Sequence, residues 1–332
     1  MLQMKYRDGR LPNSVAFTYA FAGYAAGFYL ILQPQWLLWL PGTLLLGHAM
    51  IIAAYLIHEC AHNTIFANNA DNARVGRILG WLASSCYGSY EGLRHKHFRH
   101  HVDRADVVAF DFRPRLSRYP HLIKFMEAAE WFYIPALDIL MHALVLVLPF
   151  TLESRKHMRS HVLKVLLVRG SVFAVMAWYA PQVVLLYPVA WTLMATVLRF
   201  MDAFQHTYEI TETLEEKAKG KPLFDAAYEH RNTFTNLHST RWPALNLLTL
   251  NFGYHNAHHE KPNEPWHRLP ALHQQLYGQH CTQALPFFNQ LRAFHRYRTQ
   301  RMLNADPSDL DILTDRGATF IGVDGVSFLT AH

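Results

Sequence analysis

Long stretches without charge constrain the fold of this chain more than any other feature. Residues 14–32 (SVAFTYAFAGYAAGFYLIL) and residues 36–57 contain no Asp, Glu, Lys or Arg, and only Gln33-Pro34-Gln35 separates them. A helix needs about 20 apolar residues to cross the hydrocarbon core of a bilayer, and each stretch has about that length. The pattern therefore predicts a hairpin of two membrane-spanning helices.

A second hairpin is predicted at residues 162–180 and 183–201, where a long apolar region turns near Pro181-Gln182. Basic residues occur around the starts of the first and third spans and are missing from the two hairpin turns. Because cytoplasmic segments are enriched in Lys and Arg, both termini and the segment between the hairpins are predicted to be cytoplasmic. These basic residues are Lys5, Arg7, Arg10, Arg155, Lys156, Arg159 and Lys164.

Residues 131–150 form a further apolar region on which this topology depends. A crossing here would place the basic segment that follows it on the opposite side of the membrane. The region also contains Pro135, Asp138 and His142, which are poor residues for a lipid-facing helix. It is therefore predicted to lie in the membrane interface.

The composition argues against several classes of protein. The chain has 332 residues, is 51% hydrophobic and carries a net charge of +6. It has no lysine-rich run and no nucleic-acid-binding motif, so the charge favours an anionic membrane surface over nucleic acid. Cys60, Cys86 and Cys281 are isolated, which argues against a disulfide framework and against a cysteine metal site. The 22 histidines are the unusual feature.

Many of these histidines lie in three short motifs. The first is HECAH at residues 58–62, the second is HKHFRHH at residues 95–101, and the third is HNAHH at residues 255–259. Side chains three and four residues apart share one face of a helix, so imidazoles at these spacings can reach a common metal ion. The eight candidate ligands are His58, His62, His97, His100, His101, His255, His258 and His259. His206, at the predicted cytoplasmic exit of the last span, is a ninth candidate.

Two other classes of metalloprotein fit part of this pattern. His58-Glu59-Cys60-Ala61-His62 matches H-E-x-x-H, in which two histidines bind zinc and the glutamate is the base of an intramembrane protease. That interpretation leaves both H-x-x-H-H motifs unexplained. A metal transporter would need polar residues within the spans, where His48 is nearly alone.

The three motifs, in this order and around two hairpins, resemble the membrane fatty acid desaturase and hydroxylase superfamily. The segment NLLTLNFGYHNAHHEKPNEPWHRLPAL, residues 246–272, is especially similar to the sphingolipid and acyl-lipid desaturase branch. HECAHNTIF and HFRHHVDRADVVAFD resemble the first two motifs of that branch. The resemblance covers residues 14 to 277. It implies an all-α integral membrane protein with four transmembrane helices in two hairpins, an interfacial helix and a cytoplasmic helical cap.

The resemblance also implies a non-haem di-iron centre in that cap. Its ligands would be the eight motif histidines with His206, and no catalytic residue beyond the metal centre is implied. Asn251 stands where some relatives hold a metal-bound water through an Asn; the alternative is a turn or helix-cap residue. Carboxylates are expected to orient ligating imidazoles. The candidates are Glu59, Asp103, Asp106, Asp111, Asp202 and Glu260.

The implied activity is oxygen-dependent desaturation of a fatty-acyl lipid or fatty acid, with two iron ions and dioxygen as co-substrate. Hydroxylation and oxidative decarboxylation to a terminal alkene use the same motifs and stay open. The haem-binding H-P-G-G motif of cytochrome b5 is not found, so electrons are expected from a separate ferredoxin or cytochrome b5 with its reductase.

The predicted organisation is a membrane desaturase-like domain at residues 1–302 and a C-terminal tail at residues 303–332. The tail has neither a span nor a histidine motif, and its role is unknown. Its segment TFIGVDGVSFL is expected to be either a short hairpin that turns at Asp324-Gly325 or disordered.

Overall fold

The structure is a computed structural model that describes residues 2–215, 224–278, 281–303 and 312–331. These residues are mostly helical, which confirms the predicted all-α class. The helices are α1 Arg10–Leu32, α2 Trp39–Ala61, α3 Asn69–Leu82, α4 Tyr90–Asp103, α5 Arg113–Leu116, α6 Pro120–Trp131, α7 Ala136–Thr151, α8 Arg159–Tyr179, α9 Val183–Ala203, α10 Ala226–Arg231, α11 His255–Glu260, α12 Leu269–Tyr277 and α13 Phe287–Arg296. Short segments of 3₁₀ helix are found at Trp36–Leu38, Glu153–Met158, Pro243–Thr249 and Gln300–Leu303.

Four helical segments of the described chain are long and apolar enough to cross a membrane, as the sequence predicts. They are Arg10–Leu32, Trp36–Ala61, Glu153–Tyr179 and Val183–Ala203. The second continues past the predicted end at residue 57, so His58 lies in the last turn of α2. The apolar helix α7 is shorter, at 16 residues. Its interfacial placement and the orientation of the chain stay predictions.

The chain forms two compact units. Unit 1 contains Met1–Leu93 with Ala143–Val197, and unit 2 contains Arg94–His142 with Leu198–Ala331. The proposed boundary between residues 302 and 303 stays a prediction, because residues 304–311 lie outside the described residues. Residues 312–331 belong to unit 2.

Unit 1 contains the close packing of α1 against α2, which small residues permit. A Cβ atom added to Gly27 would lie 2.8 Å from the backbone nitrogen of Leu46, and one added to Gly42 would lie 2.8 Å from the Cβ of Leu30. Membrane helices that approach this closely rely on glycine at the contact, because dispersion forces there replace the hydrophobic effect.

Replacing Gly27 with leucine is therefore expected to destabilise the protein by about 1–3 kcal/mol, the usual cost of overpacking. Gly170 in α8 is the matched control, since a Cβ there would meet nothing within 4 Å. Thermal unfolding in detergent should show a lower midpoint for Gly27→Leu than for Gly170→Leu. Equal midpoints would contradict the assigned contact.

Unit 2 contains a two-stranded parallel sheet that joins distant parts of the sequence. Strand β1, Asp106–Val108, follows α4 directly, and strand β2, Thr211–Thr213, follows the end of α9. Asp106 pairs with Thr211 in the register of the sheet. This pairing places the second histidine motif, on α4, beside the segment that carries His206.

The C-terminal residues 312–331 form neither of the two structures expected from the sequence. They contain no strand, and they are ordered against unit 2 with Phe320 and Thr330 fully buried. Asp324, the expected turn residue, is instead the buried partner of Arg199, with its Oδ1 2.7 Å from Nε and its Oδ2 2.6 Å from Nη2. The rest of the proposed tail, at residues 304–311 and 332, lies outside the described residues.

Candidate metal centre

Seven of the nine histidines predicted as ligands lie in unit 2. They come from three places in the sequence: α4, the segment after α9, and α11. On α4 and α11 the spacing of three and four residues turns the imidazoles to one face of each helix. The seven are His97, His100, His101, His206, His255, His258 and His259.

One cluster of imidazoles forms around His206. Its Nε2 is 3.0 Å from Nε2 of His100 and 2.8 Å from Nε2 of His255. His259 completes the group, and one ring nitrogen from each of the four histidines lies within 4.8 Å of the others. The structure thus brings His206 together with members of the second and third motifs.

A second set of imidazoles lies beside the first. The Nε2 of His101 is 3.1 Å from Nε2 of His97 and 3.2 Å from Nε2 of His258. The ring of His101 is also 4.2 Å from the ring of His259, measured between centroids. The two sets are therefore adjacent, as a pair of neighbouring metal ions requires.

The distances between nitrogens fit ligation of metal ions. Metal–imidazole bonds are about 2.0–2.1 Å long, so two nitrogens on one ion are about 3.0–3.4 Å apart at ordinary angles. The observed separations of 2.8–3.2 Å are close to this range. Imidazole ligands suit iron, zinc and copper by their chemical softness.

The protonation of these histidines also suits a metal site. Burial lowers the pKa of His100 to about 3, and the neighbouring His259 adds to the effect. Burial and His259 likewise lower the pKa of His206 and of His255 well below the usual value. These imidazoles are neutral at pH 7, and a metal ion binds the neutral form.

Hydrogen bonds at Nδ1 fix which nitrogen of each ring faces the cluster. His100 donates from Nδ1 to the carbonyl of Ala105 at 3.0 Å. His206 donates to the hydroxyl of Thr233 at 3.3 Å, and this hydroxyl itself donates to the carbonyl of Glu229. His259 donates to the carboxylate of Glu229 at 2.8 Å. Each bond leaves the lone pair of Nε2 for a metal ion.

Glu229 is a functional candidate that the sequence analysis missed. Burial raises the pKa of its carboxyl group, but the hydrogen bonds from His259 and Arg104 outweigh burial and hold the pKa below its usual value. The Nε of Arg104 is 2.8 Å from Oε2. Glu229 lies on α10, outside all three motifs, and its sequence context gives no signal of this role.

Glu229→Gln is expected to weaken metal binding about 10–100-fold, the usual cost of losing a carboxylate that orients a ligating imidazole. Glu260→Gln is the matched control, because the Glu260 side chain is half exposed and pairs with His230 on the surface. Competition with a chelator measures both affinities. Equal affinities for the two variants would contradict the role of Glu229.

A cavity of about 50 Å³ adjoins the imidazoles in unit 2. By volume it holds about three water-sized molecules. Asp202 and Asp106, two of the carboxylates expected to orient imidazoles, both line it. Burial raises the pKa of Asp106 to about 7. The cavity is lined by Lys96, His97, His100, Asp106, Val107, Asp202, Gln205, His206, Phe252, His255, Val326 and Phe328.

Asn251 lies in the turn before α11, with its backbone in the left-handed region at a φ of 58°. Its Nδ2 donates to the carbonyl of Trp266 at 3.2 Å. It is not among the residues that line the cavity. Its predicted role as a holder of metal-bound water stays a prediction.

The first histidine motif lies in unit 1. His58 and His62 are both buried, and their ring centroids are 4.7 Å apart. The Oε1 of Glu59 is 3.3 Å from Nδ1 of His58, and its Oε2 accepts a hydrogen bond from the hydroxyl of Thr64 at 2.6 Å. Glu59 is therefore placed to orient His58.

Four helices long and apolar enough to cross a membrane, together with adjoining histidine clusters that could hold metal ions, indicate a membrane protein with a candidate metal site. Residues 34–300 match the model of the family described as Fatty acid desaturase, and the chain belongs to this family. Membership implies an oxidoreductase that acts on a lipid substrate in association with a membrane. No curated protein matches the chain. The assignment to the sphingolipid and acyl-lipid branch stays a prediction.

Proposed function

We propose that the chain is an oxygen-dependent, non-haem di-iron desaturase that introduces a double bond into an acyl chain. The observation that carries this proposal is the convergence of seven imidazoles into two adjacent sets within unit 2. Family membership supports the class of reaction. The proposal adds to the family assignment that the product is a double bond and that the metal is iron.

Iron is proposed because the reaction is a redox reaction and zinc has no redox chemistry. Two iron ions would supply the redox chemistry that reduces dioxygen and removes hydrogen from an unactivated methylene group. His97, His101 and His258 would hold one ion, and His100, His206, His255 and His259 the other. His58 and His62 are proposed as further ligands of this centre, on the strength of the three-motif pattern and the family.

The residues of the chain prepare the site in three ways. Glu229 and Thr233 fix the orientation and tautomer of His259 and His206. Burial keeps the imidazoles neutral. The apolar side chains of Phe252 and Phe328 line the cavity and make that part of its surface unfavourable for water.

The partners of the proposed enzyme are an acyl lipid or fatty acid and an external electron donor. The donor is proposed to be a ferredoxin or a cytochrome b5 with its reductase, and the metal centre is proposed to lie on the cytoplasmic side. Hydroxylation and oxidative decarboxylation use the same ligand set and are the alternative outcomes of the same chemistry.

An intramembrane zinc protease is the alternative from another class. It would use His58, Glu59 and His62 and would give no role to the seven histidines gathered in unit 2. The family match also favours the oxidoreductase.

Lipid extracts of cells that express the chain test the proposal. The wild-type protein is expected to add double bonds to cellular acyl chains, and His258→Ala is expected to abolish them. His121→Ala, at an exposed position on α6, is the matched control and should leave the products unchanged. Hydroxylated lipids or alkenes would assign the alternative reaction, and unaltered lipids would contradict an oxygenase.

A further inference from the structure

The C-terminal segment, residues 312–331, lies beyond residues 34–300, which match the family. Two of its side chains nevertheless line the cavity beside the clustered imidazoles. We propose that this segment is a wall of the active site and that Val326 and Phe328 position the reacting part of the substrate against the metal ligands. The positioning role rests on the proposed function, whereas the claim that the segment forms a wall of the cavity does not.

The lining of the cavity supports this role. Its lining combines four of the clustered imidazoles with apolar side chains that include Val326 and Phe328 from the segment. The ring of Phe328 is 6.1 Å from the ring of His97, measured between centroids, and it is 9% exposed. An apolar surface beside metal ligands suits a methylene group and is a poor surface for water.

A buried lysine holds Phe328 in place. Lys96, next to His97 on α4, is 2% exposed. Its ammonium group donates to the carbonyl of Ser327 at 2.6 Å and to the hydroxyl of Thr330 at 3.1 Å. These two acceptors lie on either side of Phe328 in the sequence. The same turn of α4 therefore presents His97 and holds the chain on both sides of Phe328, whose ring is a neighbour of His97.

A second attachment lies a few residues earlier in the segment. Asp324 makes two hydrogen bonds with the buried guanidinium group of Arg199. Gly322 and Gly325 flank it with φ values of 80° and 78°, where other residues are strained. A Cβ at Gly322 would meet the carbonyl of Ala203, and one at Gly325 would lie 2.8 Å from the ring of Phe112.

These attachments are more specific than filling a hydrophobic core requires. Burying an ammonium group is costly unless hydrogen bonds compensate it, and apolar side chains would fill the same space at lower cost. The segment instead uses Lys96 to hold the residues on both sides of Phe328. We infer that the position of this ring is what the arrangement maintains.

Product analysis tests the positioning role. Phe328→Ala is expected to retain iron and to shift the position of the double bond, or the ratio of hydroxylated to unsaturated product, several-fold. Phe320→Leu is the matched control, because Phe320 is buried in the same segment between Phe204 and Phe234 and does not line the cavity. It is expected to lower stability without changing the product ratio. An unchanged ratio in an iron-loaded Phe328→Ala protein would overturn the positioning role.

Chemical modification of the metal-free, full-length protein tests the wall independently of activity. Diethylpyrocarbonate modifies accessible imidazoles, and mass spectrometry locates the modified residues. Phe328→Ala is expected to raise the rate of modification at His97 several-fold above the rates in the wild type and in Phe320→Leu. The exposed His121 serves as the reference.

The two experiments separate the possible failures. If His97 becomes reactive but wild-type protein oxidises no lipid, the wall stands and both the proposed function and the positioning role fail. If the rate at His97 does not change, the wall is wrong whatever the activity.

Discussion

His255→Ala is expected to remove the metal ion that the cluster around His206 is proposed to hold. Nε2 of His255 is 2.8 Å from Nε2 of His206, and His255 is buried. Alanine leaves a gap at the closest contact of the cluster, and the remaining imidazoles provide one ligand fewer. Elemental analysis of the purified variant should find about half the metal of the wild type, since two adjacent sets of imidazoles are present. Turnover should be lost.

His273→Ala is the matched control for this result. His273 is also buried in unit 2, on α12, where its ring packs against Tyr254 at 5.3 Å and takes no part in the clusters. Its loss is expected to lower stability and leave the metal content unchanged. If both variants kept full metal content, the assignment of His255 as a ligand would be wrong.

Arg199→Met is expected to cause the largest loss of stability. The buried guanidinium group lies 2.7 Å from a carboxylate oxygen of Glu130, 2.6 Å from one of Asp324 and 3.6 Å from one of Asp138. Removing this guanidinium group leaves three buried acidic side chains without the ion-pair partner that they share. Breaking a buried ion pair from one side costs about 3–5 kcal/mol.

Thermal or chemical unfolding in detergent measures this loss. Arg241→Met is the control, because Arg241 is exposed. Arg199→Met should also release the segment that Asp324 anchors. Limited proteolysis would detect this release as faster cleavage within residues 312–331. A stability equal to that of Arg241→Met would contradict the buried network.

The sequence was sufficient to predict the four spans and to single out the histidines that the structure gathers in unit 2. An uncharged run of about 20 residues has few alternatives to a membrane helix, so the four spans could be predicted closely. The helical repeat similarly places His97 and His101 on one face of α4, and His255 and His259 on one face of α11. His206 was predicted from its place at the end of a span, and the structure puts it at the centre of a cluster.

Other features depend on contacts that local patterns do not reveal. Asp324 is 125 residues from Arg199, and its role depends on that distant partner. Its neighbours in the sequence, Gly-Val-Asp-Gly, equally suit a turn. Glu229 acts through His259, 30 residues away, and no spacing rule links a carboxylate to the imidazole it orients. Both roles emerged only from the folded arrangement.

Metal analysis of the wild-type protein, purified in detergent from cells supplied with both iron and zinc, tests the central claim most directly. The two adjacent sets of imidazoles are expected to retain about two iron ions per chain. A single zinc ion with no iron would contradict a di-iron centre. It would favour the interpretation of the first histidine motif as the zinc site of a protease.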